Sequence, residues 1–244
     1  MMKVSEFVPG MDHIEIDMDV WEIIDRVNLS QMTGKPLADN EKEQMADFLL
    51  QQAAFGKTEN RAVSAGKKNM YPIYFVPDDT QKRRLFPGIL PKTKLLYRNF
   101  YELEALRVLI KLSPSVRGTE PVTKTLERLR STCFGNFCPV GECAAASVCT
   151  LRFLLAACPE DTEWIDRLLQ PLVQRFRHFH GKAAIQQGVP VTYLIITLLE
   201  ADIEKANGLF FEKKEWLTQY VSGIPSDFAR FRMQINERVI ERGE

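Results

Sequence analysis

The sequence has no net charge and no long apolar run. Its 244 residues carry 32 basic and 32 acidic side chains, so no whole-molecule field draws it towards nucleic acid or an anionic membrane. No stretch approaches the roughly 18 uninterrupted apolar residues of a membrane-spanning helix. The longest, near 144–158 and 189–199, are broken by Arg152, Thr192 and Thr197. Histidine is scarce, with only His13, His178 and His180. The phosphate-loop pattern G-x4-G-K-[ST] is missing, and AGKK at 65–68 does not supply it. The opening stretch MMKVSEFVPGMDHIEIDMDV lacks the apolar run of a secretory leader and turns acidic early. The five cysteines are odd in number and lie together between 133 and 158, whereas a secreted disulfide framework spreads paired cysteines along the chain. The expected setting is a reducing compartment, the cytoplasm, with no membrane partner.

What is present points to a globular core. Apolar residues make up 45% and charged residues 26%, enough for one large domain or two modest ones. The charge is segregated. Residues 1–60 carry 5 Lys/Arg against 12 Asp/Glu, a net of −7, and residues 61–98 carry 9 against 2, a net of +7. Opposite blocks side by side imply two faces that attract.

The apolar spacing predicts a helix over 12–32, with Ile14, Ile16, Val20, Trp21, Ile24 and Val27 on one side and Asp12, Glu15, Asp17 and Asp19 crowding its start. Gly34 and Pro36 end it. Asp39 or Asn40 can cap a second helix with Met45, Phe48, Leu49 and Ala53 as its stripe. The 61–98 segment is rich in Pro and Gly, and YPIYFV at 71–76, followed by the turn signal PDDT, reads as a short strand or part of a hairpin. From about 99 the pattern is helical. EALRVLIKLSP at 104–114 matches CTLRFLLAACP at 149–159, an offset of 45 residues, and YLIITLLEAD at 193–202 follows one more period on, with Thr197 in place of the arginine. Each copy is followed by an amphipathic stretch: VTKTLERLR, WIDRLLQPLVQRF and KKEWLTQYV. Such a period fits paired helices stacked side by side. The expected fold is therefore mostly α. N-terminal helices (1–60) and a basic mixed segment with a short β-hairpin (61–98) precede stacked αα-hairpin repeats (99–223), which form a partial toroid or curved array, and a C-terminal helix (224–244).

CFGNFCPVGECAAASVCTLRFLL (133–155) and QGVPVTYLIITLLEAD (187–202) resemble inner-helix steps of the α/α toroids, the terpenoid cyclases and protein prenyltransferase β subunits. The resemblance covers about 99–223 and implies helix pairs. HFHGKA at 178–183 resembles the His-Gly turn of the lanthionine cyclases, toroids that bind zinc through cysteine and histidine. The clustered aspartates of the cyclases are absent from the repeat region, and the prenyltransferase zinc ligands have no residue-by-residue match, so no activity is carried over.

Three sets of residues are candidates for chemistry. Cys133, Cys138 and Cys143 are spaced C-x4-C-x4-C, with Gly135, Pro139 and Gly141 to fold the loop. His178 and His180 follow one repeat later, which would place them beside the cysteines in a stacked array. Soft ligands of this kind suit zinc, although its usual spacing is C-x2–4-C. The preferred reading is packing, because free cysteine behaves as a small apolar residue and Cys149 and Cys158 read as core. The histidines, with Arg175, Arg177 and Lys182, read first as cations complementing a helix C-terminus. Lys67, Lys68, Lys82, Arg83 and Arg84 lie among Tyr71, Tyr74, Phe75 and Phe86, a composition that suits a phosphate-bearing ligand or a single nucleic-acid strand. A solvated loop balanced by the acidic first helix is the preferred alternative. Asp17, Asp19, Asp78 and Asp79 fit helix-start and turn roles, and Trp164 fits repeat packing. The leading functional expectation is a non-catalytic helical-repeat module that binds a protein or small molecule on its concave face or basic loop. A metal-assisted toroid enzyme using the Cys/His set is second, and nucleic-acid binding through 67–98 is third.

Overall fold

A computed structural model describes residues 18–55, 58–64, 67–77, 93–140, 142–178, 191–201 and 215. Among these are seven α-helices and one two-stranded antiparallel ribbon. Helix α1 spans Val20–Thr33 and α2 spans Asp39–Phe55. Asp19 precedes α1 in extended conformation and closes a capping box: Glu22 N–H donates to its carboxylate at 3.0 Å, and its own N–H donates to Glu22 at 2.9 Å. This shortens the helix expected from residue 12, because an aspartate that captures backbone donors fixes a helix start. Residues 12–17 lie outside the described residues. Gly34, at φ 68°, ends α1 in the left-handed conformation that glycine adopts without strain. In α2, Met45, Leu49 and Ala53 are buried as expected.

Strands β1 (Thr58–Ser64) and β2 (Lys67–Ile73) pair in antiparallel register, Thr58 opposite Ile73. The strand expected over 71–76 therefore stops at 73. Its continuation is diverted: Tyr74 N–H donates to the buried Glu102 carboxylate at 3.0 Å instead of to a neighbouring strand. Tyr74 and Phe75 are core residues.

Helix α3 (Lys94–Leu112) begins five residues before the expected point, where the Thr93 hydroxyl accepts from Leu96 N–H. A 3-10 turn at Pro114–Gly118 leads to α4 (Glu120–Arg130), and another at Phe134–Asn136 leads to α5 (Glu142–Ala157). Asp161 caps α6 (Thr162–Arg177), and α7 spans Val191–Glu200. Between Asn99 and Ile110 every residue of α3 is buried, and α5 from Ala144 to Leu154 and α7 from Val191 to Leu199 are equally enclosed. Helix α6 is amphipathic, burying Trp164, Ile165, Leu168, Leu169, Leu172, Val173 and Phe176. Helix α3 packs along α5 and receives α1 and α2, while α5 also meets α6 and α7. One apolar core runs through these helices, fastened by Trp21 against the rings of Tyr97 and Tyr101 and by Phe100 against Tyr193. No helix among the described residues is long and apolar enough to cross a membrane.

Candidate functional site

The segment between α4 and α5 folds its three cysteines onto one point. Cys133 ends the turn after α4, Cys138 lies in the loop, and Cys143 is in the first turn of α5. Their sulfurs all lie within 4.8 Å of one another, and Cys133 Sγ is 3.9 Å from Cys143 Sγ. The sulfurs do not hold the loop in place. Asn136 Nδ2 donates to the Arg130 and Thr132 carbonyls, each at 3.0 Å. Trp164 Nε1 donates to Gly135 O at 2.6 Å. The buried Ser147 hydroxyl accepts from Cys138 N–H at 3.3 Å and lies 2.9 and 3.0 Å from the Phe134 and Cys143 carbonyls, one of which takes its proton. Arg175 of α6 donates through Nη2 to Pro139 O at 2.7 Å.

Two backbone positions make this turn specific. A Cβ on Gly135 would fall on the Leu129 carbonyl, 2.7 Å from its carbon, and 2.9 Å from Thr132 Oγ1, so only glycine fits. Phe137 adopts φ 61°, an uncommon conformation for a bulky residue, with the Arg175 guanidinium 5.8 Å from its ring centre. Burial and the adjacent Cys133 and Cys138 sulfurs push the Cys143 thiol up to about 12. A cation placed between the three would reverse that preference, since coordinated thiols deprotonate.

A second cluster lies at the centre of the core. Glu104 of α3 is reached by Arg107 Nη2 at 3.2 Å, by Arg152 Nη1 at 3.0 Å to each oxygen, by Asn28 Nδ2 at 3.2 Å and by the Tyr193 hydroxyl. Arg152 also donates to Glu200 at 2.7 and 3.1 Å and to Asn28 Oδ1 at 2.7 Å. Arg107 adds Gln31 at 3.2 Å and an ion pair with Glu200 at 3.6 Å. Both guanidiniums have no solvent exposure. Burial alone would raise the Glu104 pKa, but Arg107, Arg152 and the Tyr193 and Asn28 donors outweigh it and hold the carboxyl down to about 2. Two cations, on α3 and α5, and two anions, on α3 and α7, thus bond chiefly to one another, with the Asn28 amide of α1 between them. The cluster is a fastening between helices.

The structure brings Cys133, Cys138 and Cys143 together. His178, exposed after α6, does not join their group, and His180 lies outside the described residues. Cys149 and Cys158 are buried, with Cys149 Sγ 3.7 Å from the Tyr193 hydroxyl, whose proton goes to Glu104. Lys67 and Lys68 open β2, whereas Lys82, Arg83 and Arg84 fall outside the described residues. Tyr74 and Phe75 cannot serve as stacking platforms for a bound strand: both are buried, and Tyr74 donates its hydroxyl to Glu120 at 3.1 Å. Glu104, Glu200, Asn28 and Tyr193 had no part in the sequence reading. The signal for them was an arginine repeated inside an apolar helix pattern, which requires a buried carboxylate partner. Comparisons with models of known families, with characterised proteins and with solved structures found no match.

Proposed function

We propose that this chain is a helical-repeat protein that binds one thiophilic metal ion on Cys133, Cys138 and Cys143. The observation that carries the reading is the convergence of three sulfurs within 4.8 Å. With metal–sulfur bonds of about 2.3 Å, ligand sulfurs in trigonal or tetrahedral geometry stand about 3.8–4.0 Å apart, and the Cys133–Cys143 separation is 3.9 Å. Thiolate sets select Zn(II) or Cu(I) over hard cations. Cys133 is exposed and Cys138 half-buried, which favours a ligand role over packing, whereas Cys143 packs against the core in which Cys149 and Cys158 are buried.

The repeat reading has its own support. Helices α3, α5 and α7 are enclosed while α6 is amphipathic. Arg107 and Arg152, one period apart, enter the same ionic cluster. In this reading the helix array is a rigid frame that presents the thiol loop at its surface.

Titration of the reduced full chain with Co(II) tests the metal. The expected result is a thiolate-to-cobalt charge-transfer band saturating at one equivalent, displaced by Zn(II) and absent when Cys133, Cys138 and Cys143 are all serine. A wild-type protein that develops no such band sinks the reading.

A further inference from the structure

Three sulfurs leave a tetrahedral ion one ligand short. Among the described residues no carboxylate or imidazole completes the set. The rim faces solvent: Cys133 and Pro139 are exposed, and Val140 is 71% exposed. A cation lies against the same loop. Arg175 spends Nη2 on Pro139 O, one residue from Cys138, while its Nη1 is shielded from water and has no hydrogen-bond partner among the described residues. A buried donor left uncommitted is costly unless something anionic takes it.

We propose that the metal centre is open, and that its fourth position takes the thiolate of a small solvent-borne thiol, with Arg175 as the positioning residue that favours this ligand. The proposal rests on the metal reading above. A divalent ion on three thiolates has a net charge of −1, and a fourth thiolate makes it −2. The Arg175 guanidinium, held beside the loop by its bond to Pro139 O, offsets the added charge. The step is a ligand exchange. The thiol gives its proton to the buffer, its sulfur lone pair forms the metal–sulfur bond, a bound water leaves, and no electrons are transferred. An open three-ligand site is the arrangement of zinc centres that handle an exchanging ligand, as opposed to closed four-ligand structural sites.

The test uses the full chain loaded with one equivalent of Co(II), titrated with 2-mercaptoethanol and desalted to measure retained cobalt. The expected result is a saturable shift of the cobalt bands with cobalt retained. Arg175→Gln should weaken the thiol affinity about tenfold, the scale of one nearby charge at a partly buried site; Arg175→Lys should recover part of it, and His178→Ala should change nothing. Bands that ignore the thiol, or cobalt stripped by it, overturn the proposal with no variant needed. Arg175→Gln behaving as wild type removes the assigned role. Failure to bind cobalt at all overturns the preceding metal reading instead.

Discussion

Replacing Arg152 with methionine keeps most of the side-chain volume and removes the charge. The substitution deletes two bonds of 3.0 Å to Glu104, bonds of 2.7 and 3.1 Å to Glu200, and one of 2.7 Å to Asn28. Glu104 keeps Arg107 at 3.2 Å, but the buried Glu104 and the partly buried Glu200 then share one guanidinium. Removing one partner of a buried ion pair costs about 3–5 kcal/mol, and the surviving Arg107 places this case near the lower end. With urea slopes of about 1–3 kcal/mol per molar, the midpoint should fall by about 1 M or more. The assay is urea unfolding followed by far-UV circular dichroism on wild type, Arg152→Met, Glu104→Gln and the double variant. The double variant should be less destabilised than the sum of the singles, by about 1–3 kcal/mol, because each single change leaves a charge without its partner. A loss below about 1 kcal/mol for Arg152→Met, or additivity in the cycle, would refute the view that these charges fasten the helices.

Acid should expose the same cluster. Glu104 is held down to about 2 from the usual 4.5, so its contribution is complete above about pH 4.5 and is lost as the pH falls towards 2, the unfolded chain taking up the proton first. Glu200 shifts in the same direction. Glu102, raised chiefly by burial despite Arg128, has the opposite sign and is favoured below its ordinary range. Glu104→Gln should flatten the midpoint-versus-pH curve between about pH 4.5 and 2, as read by thermal melts across that range. Gly135→Ala should lower the melting temperature and abolish tight cobalt binding together, since its methyl group meets the Leu129 carbonyl backbone. Binding unchanged in that variant would mean the turn does not set the sulfur positions.

The parts of the fold that were legible in the sequence were those set by local rules. The α2 stripe, Gly34 as a helix stop and the helical pattern beyond 99 followed from spacing and turn chemistry. Those decided by distant partners were hidden. Tyr74 left the expected strand because Glu102, 28 positions away, takes its N–H. The repeated arginine was visible, and Glu104 stands three residues before Arg107, yet Asn28 and Glu200 could not be assigned from spacing when they act across 76 and 48 positions. The cysteine spacing was legible too, whereas the convergence depended on Phe137 at positive φ and on Ser147, neither of which marks itself in the sequence.

The bond between Asn28 and Arg152 spans 124 positions, and this bears on synthesis. As the chain leaves the ribosome, α1 emerges long before the helices that supply its polar partners. Until α7 arrives with Glu200, Arg107 and Arg152 share the single carboxylate of Glu104, and α3 and α5 cannot be enclosed without burying a guanidinium that lacks its matching anion. Consolidation of the centre is therefore a late event, gated by translation of the last described helix, and chaperone engagement should persist until then.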